Sequence, residues 1–202
     1  PQLHRIQKKM ISISLSKRGY SSKTARAVVF GPRRFLGIGD RHLCYEQGIG
    51  ATLQLLKHIR ANSKLGDFLK IGLAWTQLHA GVSFSILDQT SRDLPHLERG
   101  WFLSTRTFLG TINASFHLPN IVLPSRLRAH DCIIMDDLLQ NDFPPRSVRK
   151  INLCRLFLQV ESLAEICNPT GDCILVSAWK GEPTSSKSKS LWPRQDRPHE
   201  PS

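Results

Sequence analysis

Apolar residues recur at three- and four-residue steps in four stretches of the chain, and this spacing is typical of amphipathic helices. The predicted helices cover residues 50–62, 64–79, 97–109 and 147–166. In the first of them Lys57 and Arg60 lie away from the apolar positions, so we expect both side chains to be exposed. Ala80-Gly81 follows the second helix, and a glycine at that point is a common helix stop.

Shorter apolar runs, bounded by glycine, proline or polar residues, are typical of strands. They cover residues 27–30, 132–135 and 173–179. Together with the four helices they predict a fold that is mainly α with a few short strands, arranged as an irregular helical bundle.

Composition divides the chain into three parts. Residues 1–23 are polar and basic with interleaved serines, which predicts a basic N-terminal arm or a broken helix. Residues 24–180 are expected to form the helical domain. Residues 181–202 are rich in Ser, Lys and Pro, so we expect a disordered basic C-terminal tail. Because the chain begins at Pro1 without a methionine, we expect it to be a piece of a longer reading frame or a processed product.

Positive charge is concentrated near the N-terminus. Residues 1–60 contain 12 of the 28 lysines and arginines and only two of the 16 acidic residues, Asp40 and Glu46, so they carry +10 of the net charge of +12. Such an asymmetry attracts phosphate in nucleic acid or at an anionic membrane surface. The first 26 residues lack a continuous face of Trp, Phe or Leu, so we favour RNA or DNA over a membrane. A solvated basic arm without a ligand is an equally simple interpretation.

The cysteines indicate the compartment. There are five of them, without a C-x-x-C pair: Cys44, Cys132, Cys154, Cys167 and Cys173. An odd number without a secretory signal indicates reduced thiols, so we expect an intracellular protein, nuclear or cytoplasmic, that is not secreted. The Arg-, Lys- and Ser-rich start also has the composition of a mitochondrial transit peptide. The cysteine spacing matches no common zinc pattern, and no cofactor is expected. No apolar run reaches the roughly 20 residues that span a bilayer.

Asp136 and Asp137 are the residues that most suggest catalysis. Polymerases of the reverse-transcriptase type hold two Mg²⁺ ions with paired aspartates at a tight hairpin. Here Ile134 replaces the aromatic residue of that motif, and no upstream aspartate lies on a convincing apolar strand. We therefore favour two acids at a surface turn or a helix start.

Two further patterns have a simple structural interpretation. Gly37-Ile38-Gly39 lacks the third glycine, the acidic residue and the βαβ context of a dinucleotide-binding loop, so it predicts a turn. Trp75, Trp101 and Phe108 could stack on bases beside a basic surface. Aromatic residues at helical spacing more often belong to a core.

Several segments together resemble the region that follows the polymerase palm in LINE-type (non-LTR) retrotransposon polyproteins. They are RAVVFGPRRFLGIGDRHLCYEQGIG, QLLKHIRANSKLG, the segment from Trp75 to Phe84, LPHLERGWF, INLCRLFLQVESLAEI and LWPRQDRP. The resemblance runs from about residue 17 to residue 198 and follows segment order rather than a catalytic signature. It departs from the family at Leu36, where a second glycine of a Gly-Gly turn is expected, as in a decaying copy.

The resemblance implies a non-catalytic fragment of a reverse-transcriptase polyprotein, a thumb or connection that grips template and primer. The palm and its metal-binding aspartates would lie upstream of Pro1, so the palm is an expected partner and no catalytic residue is carried over. We predict that Arg33, Arg34, Arg41, Lys57 and Arg60 form one phosphate-facing surface. The alternative is an independent small helical protein-interaction module whose basic arm is incidental.

Overall fold

The computed structural model describes residues 2–61, 63–118, 121–141 and 143–180. Within these ranges the chain forms eight α-helices: α1 (Gln2–Lys17), α2 (Arg26–Phe30), α3 (Leu43–Arg60), α4 (Lys64–Ala80), α5 (Trp101–Thr111), α6 (Ile134–Gln140), α7 (Pro145–Leu158) and α8 (Val176–Trp179). Two short 3-10 helices cover Arg33–Phe35 and Leu163–Glu165. The mainly α fold class is therefore confirmed.

The three predicted strands are wrong. Residues 27–30 belong to α2, residues 132–135 lead into α6, and residues 173–179 lead into α8. Extended pairing in the described ranges is limited to two isolated antiparallel bridges, Ile133 with Ser162 and Cys167 with Ile174. A short apolar run does not distinguish a strand from a buried helical turn. A helix satisfies its backbone groups within one segment, whereas a strand needs a partner.

Helix existence was predicted better than helix ends. The predicted helix over 50–62 begins at Leu43, because Gly48 and Gly50 lie inside α3 and not in a loop before it. The helix predicted over 147–166 begins at Pro145, a residue that suits a first helical turn. It ends at Leu158, because Gln159 adopts a left-handed conformation with φ of 57°.

The chain separates into two compact units, Pro1–Gly66 and Asp67–Ser202. The division between the units falls within α4. In the first unit α1 buries Ile11 and Leu15 with Val29. The segment predicted to be a basic arm or a broken helix thus contains a 16-residue helix with a packed face. The tail predicted over 181–202 lies outside the described residues.

In the second unit, buried polar side chains organise the loops between helices. Gln77 of α4 donates to the carbonyls of Val82 and Phe84 at 3.3 and 2.9 Å and accepts from the N–H of Ile86 at 3.0 Å. Arg106 of α5 is 5% exposed and donates to the carbonyls of three residues in the same connection: Ile86, Gln89 and Arg92. These bonds satisfy backbone groups that a helix or sheet would otherwise pair.

Arg155 of α7 fixes the C-terminal end of α4. Its side chain is 3% exposed, and its Nη2 donates to the carbonyl of Leu78 at 2.6 Å. Its Nε donates to Oδ1 of Asn152 at 3.0 Å, and the amide of Asn152 donates to the carbonyl of His79 at 3.0 Å. Gly81 follows α4 with φ of 62°, and a Cβ there would lie 2.6 Å from Cζ of Arg155. The guanidinium therefore occupies space that only glycine leaves free.

Candidate nucleic-acid interface

The arginine segment of the first unit folds into a tight loop between α2 and α3. The N–H groups of Ile38, Gly39 and Asp40 donate back to the carbonyls of Val28, Gly31 and Val29 at 2.8, 3.0 and 3.0 Å. The predicted turn at Gly37 and Gly39 is confirmed. Glycine is required at position 37, because a Cβ there would lie 2.0 Å from the carbonyl oxygen of Gly31.

Leu36 lies at the apex of this loop in a conformation that favours glycine. Its φ is 63°, its side chain is 94% exposed, and its N–H donates to the carbonyl of Arg33 at the end of the 3-10 helix. A left-handed conformation brings the Cβ of most residues too close to the backbone. The loop geometry therefore gives a physical reason for a glycine at this position.

Three of the five predicted cationic residues lie on or beside this loop, and all three are exposed. Arg33 packs its side chain along Gly39 and donates from Nε to the carbonyl of Ile38 at 3.4 Å. The guanidinium of Arg34 lies 4.8 Å from the ring centroid of Phe35. Arg41 contacts Glu46 at 3.3 Å. The loop thus contacts the side chain of Arg33 along its length, whereas the side chains of Arg34 and Arg41 extend into solvent.

Lys57 and Arg60 lie in the last turn of α3 and are exposed, as predicted. Arg41 lies just before the first turn of the same helix. With a rise of 1.5 Å per residue, about 25 Å of helix separates Leu43 from Arg60. Arg41 and Arg60 therefore lie at opposite ends of α3. A ligand that contacts both Arg41 and Arg60 must be extended.

The first unit has very little negative charge to neutralise its cations. All 13 lysines and arginines in residues 1–66 are exposed, and Asp40 and Glu46 are its only acidic residues. Asp40 contacts Arg18 at 2.7 Å and Glu46 contacts Arg41 at 3.3 Å. The unit therefore has a net charge of +11, and both of its carboxylates are already engaged.

Sequence reasoning did not single out the exposed cations of α1 as candidate site residues. Arg5, Lys8 and Lys9 are exposed on a helix whose opposite face is buried. Gln7 is 4% exposed and donates to the carbonyl of Arg41 at 3.3 Å, which fixes α1 beside the start of α3. The four-residue spacing of Gln7, Ile11 and Leu15 is the signal that could have predicted this helix.

The aromatic residues do not share one environment. Trp75 is 62% exposed, so its interpretation as a core residue is wrong, and its ring centroid lies 4.7 Å from that of His79. Trp101 is 37% exposed, whereas Phe108 is half-buried. All three belong to the second unit, so none is a residue of the basic first unit.

Asp136 and Asp137 lie in the first turn of α6, which confirms the helix-start interpretation. Asp136 accepts from the N–H of Ser83 at 3.2 Å, and Asp137 accepts from the amide of Asn141 at 3.2 Å. Carboxylates stabilise the positive end of a helix. Across the described ranges, no group of three or more His, Cys, Asp or Glu side chains is placed to hold a metal ion.

Comparisons with known proteins add no family assignment. No protein-family model, curated protein or solved structure matches the chain. A search of the described helices for one long and apolar enough to cross a membrane finds none.

Proposed function

We propose that the Pro1–Gly66 unit binds RNA or DNA through contacts to phosphate. The observation that supports this most directly is a unit of 66 residues with 13 exposed cations and two engaged carboxylates. A field of this sign concentrates polyanions and releases their counterions on binding. The resemblance of the sequence to a retrotransposon thumb or connection agrees with this activity. The ligands would then be template and primer, and the partner would be an upstream palm.

The proposed ligand runs along α3. The loop cations Arg33, Arg34 and Arg41 hold one end, and Lys57 and Arg60 hold the other, about 25 Å away. That length corresponds to about seven steps of a duplex at 3.4 Å per step. Contacts from Lys and Arg to phosphate position a nucleic acid without reading its bases, so the binding has little sequence preference.

The experiment is a salt series with fluorescently labelled oligonucleotides of 4 and 16 nucleotides, followed by anisotropy. The affinity for the longer oligonucleotide should fall by orders of magnitude between 50 and 200 mM salt, as expected for about six or more phosphate contacts. Gln substitution at each of the five positions should lower the slope of log K against log salt by roughly one. The 4-mer reaches one end only and should show the smaller slope.

The matched control is Lys150→Gln, which removes an exposed cation from α7 in the other unit. Its slope should equal that of the wild type. Unchanged slopes for all five variants would show that these cations form only a solvated surface. Absence of binding at low salt would favour the independent protein-interaction module.

We place this activity inside the cell, in the nucleus or the cytoplasm. All five cysteines are free thiols, and none is paired in a disulfide. Reduced thiols are the usual state of cysteine in those compartments.

A further inference from the structure

Helix α4 exposes a row of large apolar side chains in the second unit. Phe68 is 70% exposed, Ile71 65%, Trp75 62% and Leu78 43%. The opposite side of the helix is buried through Leu73, Gln77 and Ala80. An apolar row of this kind on a soluble surface marks an interaction site, because isolated exposed apolar residues need no explanation but contiguous ones do.

The spacing of this row is that of a helix–helix interface. The steps between successive members are three, four and three residues, which is the repeat of the a and d positions in a coiled coil. Phe68 and Trp75 occupy the a positions, and Ile71 and Leu78 occupy the d positions. We call these four residues the α4 seam. A seam of alternating a and d residues packs best against a second helix with the same spacing.

We propose that the α4 seam is a homodimer interface, in which the α4 helices of two copies pack antiparallel. Antiparallel packing places a residues opposite d residues, so Phe68 faces the second copy's Leu78, and Trp75 faces the second copy's Ile71. Every layer then combines one aromatic with one aliphatic side chain. Parallel packing would place each residue opposite its own copy, so Trp75 would face Trp75 and Ile71 would face Ile71. Large and small layers would then alternate along the interface. Cores fill space best when large and small residues alternate across facing positions.

The arrangement is self-complementary, as a two-fold dimer requires. Asp67 flanks the seam and contacts Lys70 of the same helix at 3.5 Å. Asp67 therefore places no unbalanced charge at the edge of the interface. The aliphatic d residues offer nothing to a nucleic acid, so the row fits a helix better than a strand of stacked bases.

The exposed area is sufficient for a weak dimer. Aromatic side chains bury roughly 150–250 Å² each, so the four residues together offer about 500 Å² per copy at their observed exposures. Two copies would bury about 1,000 Å², the lower limit of specific interfaces. We therefore expect dissociation in the micromolar range rather than a permanent dimer.

Sedimentation equilibrium of the full chain over a range of protein concentrations tests the proposal. The buffer contains 0.5 M salt, which screens electrostatic binding of nucleic acid to the basic first unit. The mass should rise from 22.8 kDa to twice that value. Trp75→Glu should raise the dissociation constant at least about tenfold, because central apolar anchors dominate such interfaces. Val122→Glu, at an 86% exposed position of the same unit, is the matched control and should leave it unchanged. Far-UV circular dichroism checks that each variant is folded.

Orientation is tested by mixing two variants. Phe68→Glu and Leu78→Lys should each weaken self-association, because each places a charge in two apolar layers. Mixed in equal amounts they should form a heterodimer if the helices are antiparallel, since one layer then pairs Glu with Lys and another keeps Phe with Leu. No recovery on mixing would exclude the antiparallel arrangement. A wild-type chain that stays monomeric at all concentrations would overturn the proposal, whether or not the chain binds nucleic acid.

Discussion

Replacement of Arg155 should destabilise the second unit more than any other single charge removal on α7. The residue is buried, and it donates to the carbonyl of Leu78, one of the last carbonyls of α4, which have no partner within the helix. Burial lowers the pKa of the guanidinium to about 10, so it stays charged at neutral pH and faces the negative end of the α4 dipole. Arg155→Met keeps much of the volume and removes every donor.

The magnitude follows from the two shortest bonds. The distances are 2.6 Å to the carbonyl of Leu78 and 3.0 Å to Oδ1 of Asn152, and hydrogen bonds to charged groups contribute about 1.5–3 kcal/mol each. The methionine variant no longer pays to bury a charged guanidinium, and this gain offsets part of the lost hydrogen bonding. The free energy of unfolding should therefore decrease by about 3 kcal/mol. That is a large fraction of the 5–15 kcal/mol that stabilises a typical domain.

Urea unfolding followed by far-UV circular dichroism measures this loss. Arg149→Met is the matched control, since Arg149 is an exposed arginine on the same helix, and its effect should stay within about 0.5 kcal/mol. Arg155→Lys should lie between the two, because an ammonium cannot reproduce the planar fork. If Arg155→Met lowers the free energy of unfolding by less than about 1 kcal/mol with an unchanged m value, Arg155 does not stabilise the C-terminal end of α4 as argued.

Two further predictions concern single residues. Burial lowers the pKa of His96 to about 4, so the folded state binds its proton less readily than the unfolded state. Stability should fall by about 3 kcal/mol as the pH decreases from 6.5 to below 4, and His96→Gln should remove this component from urea titrations at pH 7 and pH 4. Leu36→Gly should stabilise the first unit by about 0.5–1 kcal/mol, because it relieves a positive φ at a cost in chain entropy. Leu36→Ala, which retains the Cβ, should not raise the melting temperature; equal effects of both substitutions would contradict the strain argument.

Local chemistry determined much of the α-helical content. The periodic segment over 64–79 coincides with α4 almost to the residue, because its apolar positions persist over four turns and Gly81 ends the helix. The exposure of Lys57 and Arg60 followed from the same periodicity. The turn at Gly37 and Gly39 followed from glycine's freedom to adopt conformations that crowd other residues.

Tertiary packing decided what periodicity could not. The spacing of Ile11 and Leu15 is helical, but their burial with Val29 is a contact between separate segments that no local pattern reveals. The same holds for Arg155, whose sequence neighbourhood gives no sign that it is buried against the end of α4. The distance between Arg41 and the C-terminal cations of α3 was also set by the helix, which begins earlier than its glycines suggested.

The exposed α4 seam shows most clearly what hydrophobic periodicity cannot predict. A period of 3.6 residues identifies helical faces, but it does not say which face meets the core and which meets solvent. Both faces of α4 are apolar. The face that contains Gln77 is the buried one, because the Gln77 side chain forms hydrogen bonds with the backbone of Val82, Phe84 and Ile86. The sequence thus determined that a helix forms here and where it ends. The tertiary structure decided which residues it exposes, because a buried polar group must lie where its hydrogen-bond partners are.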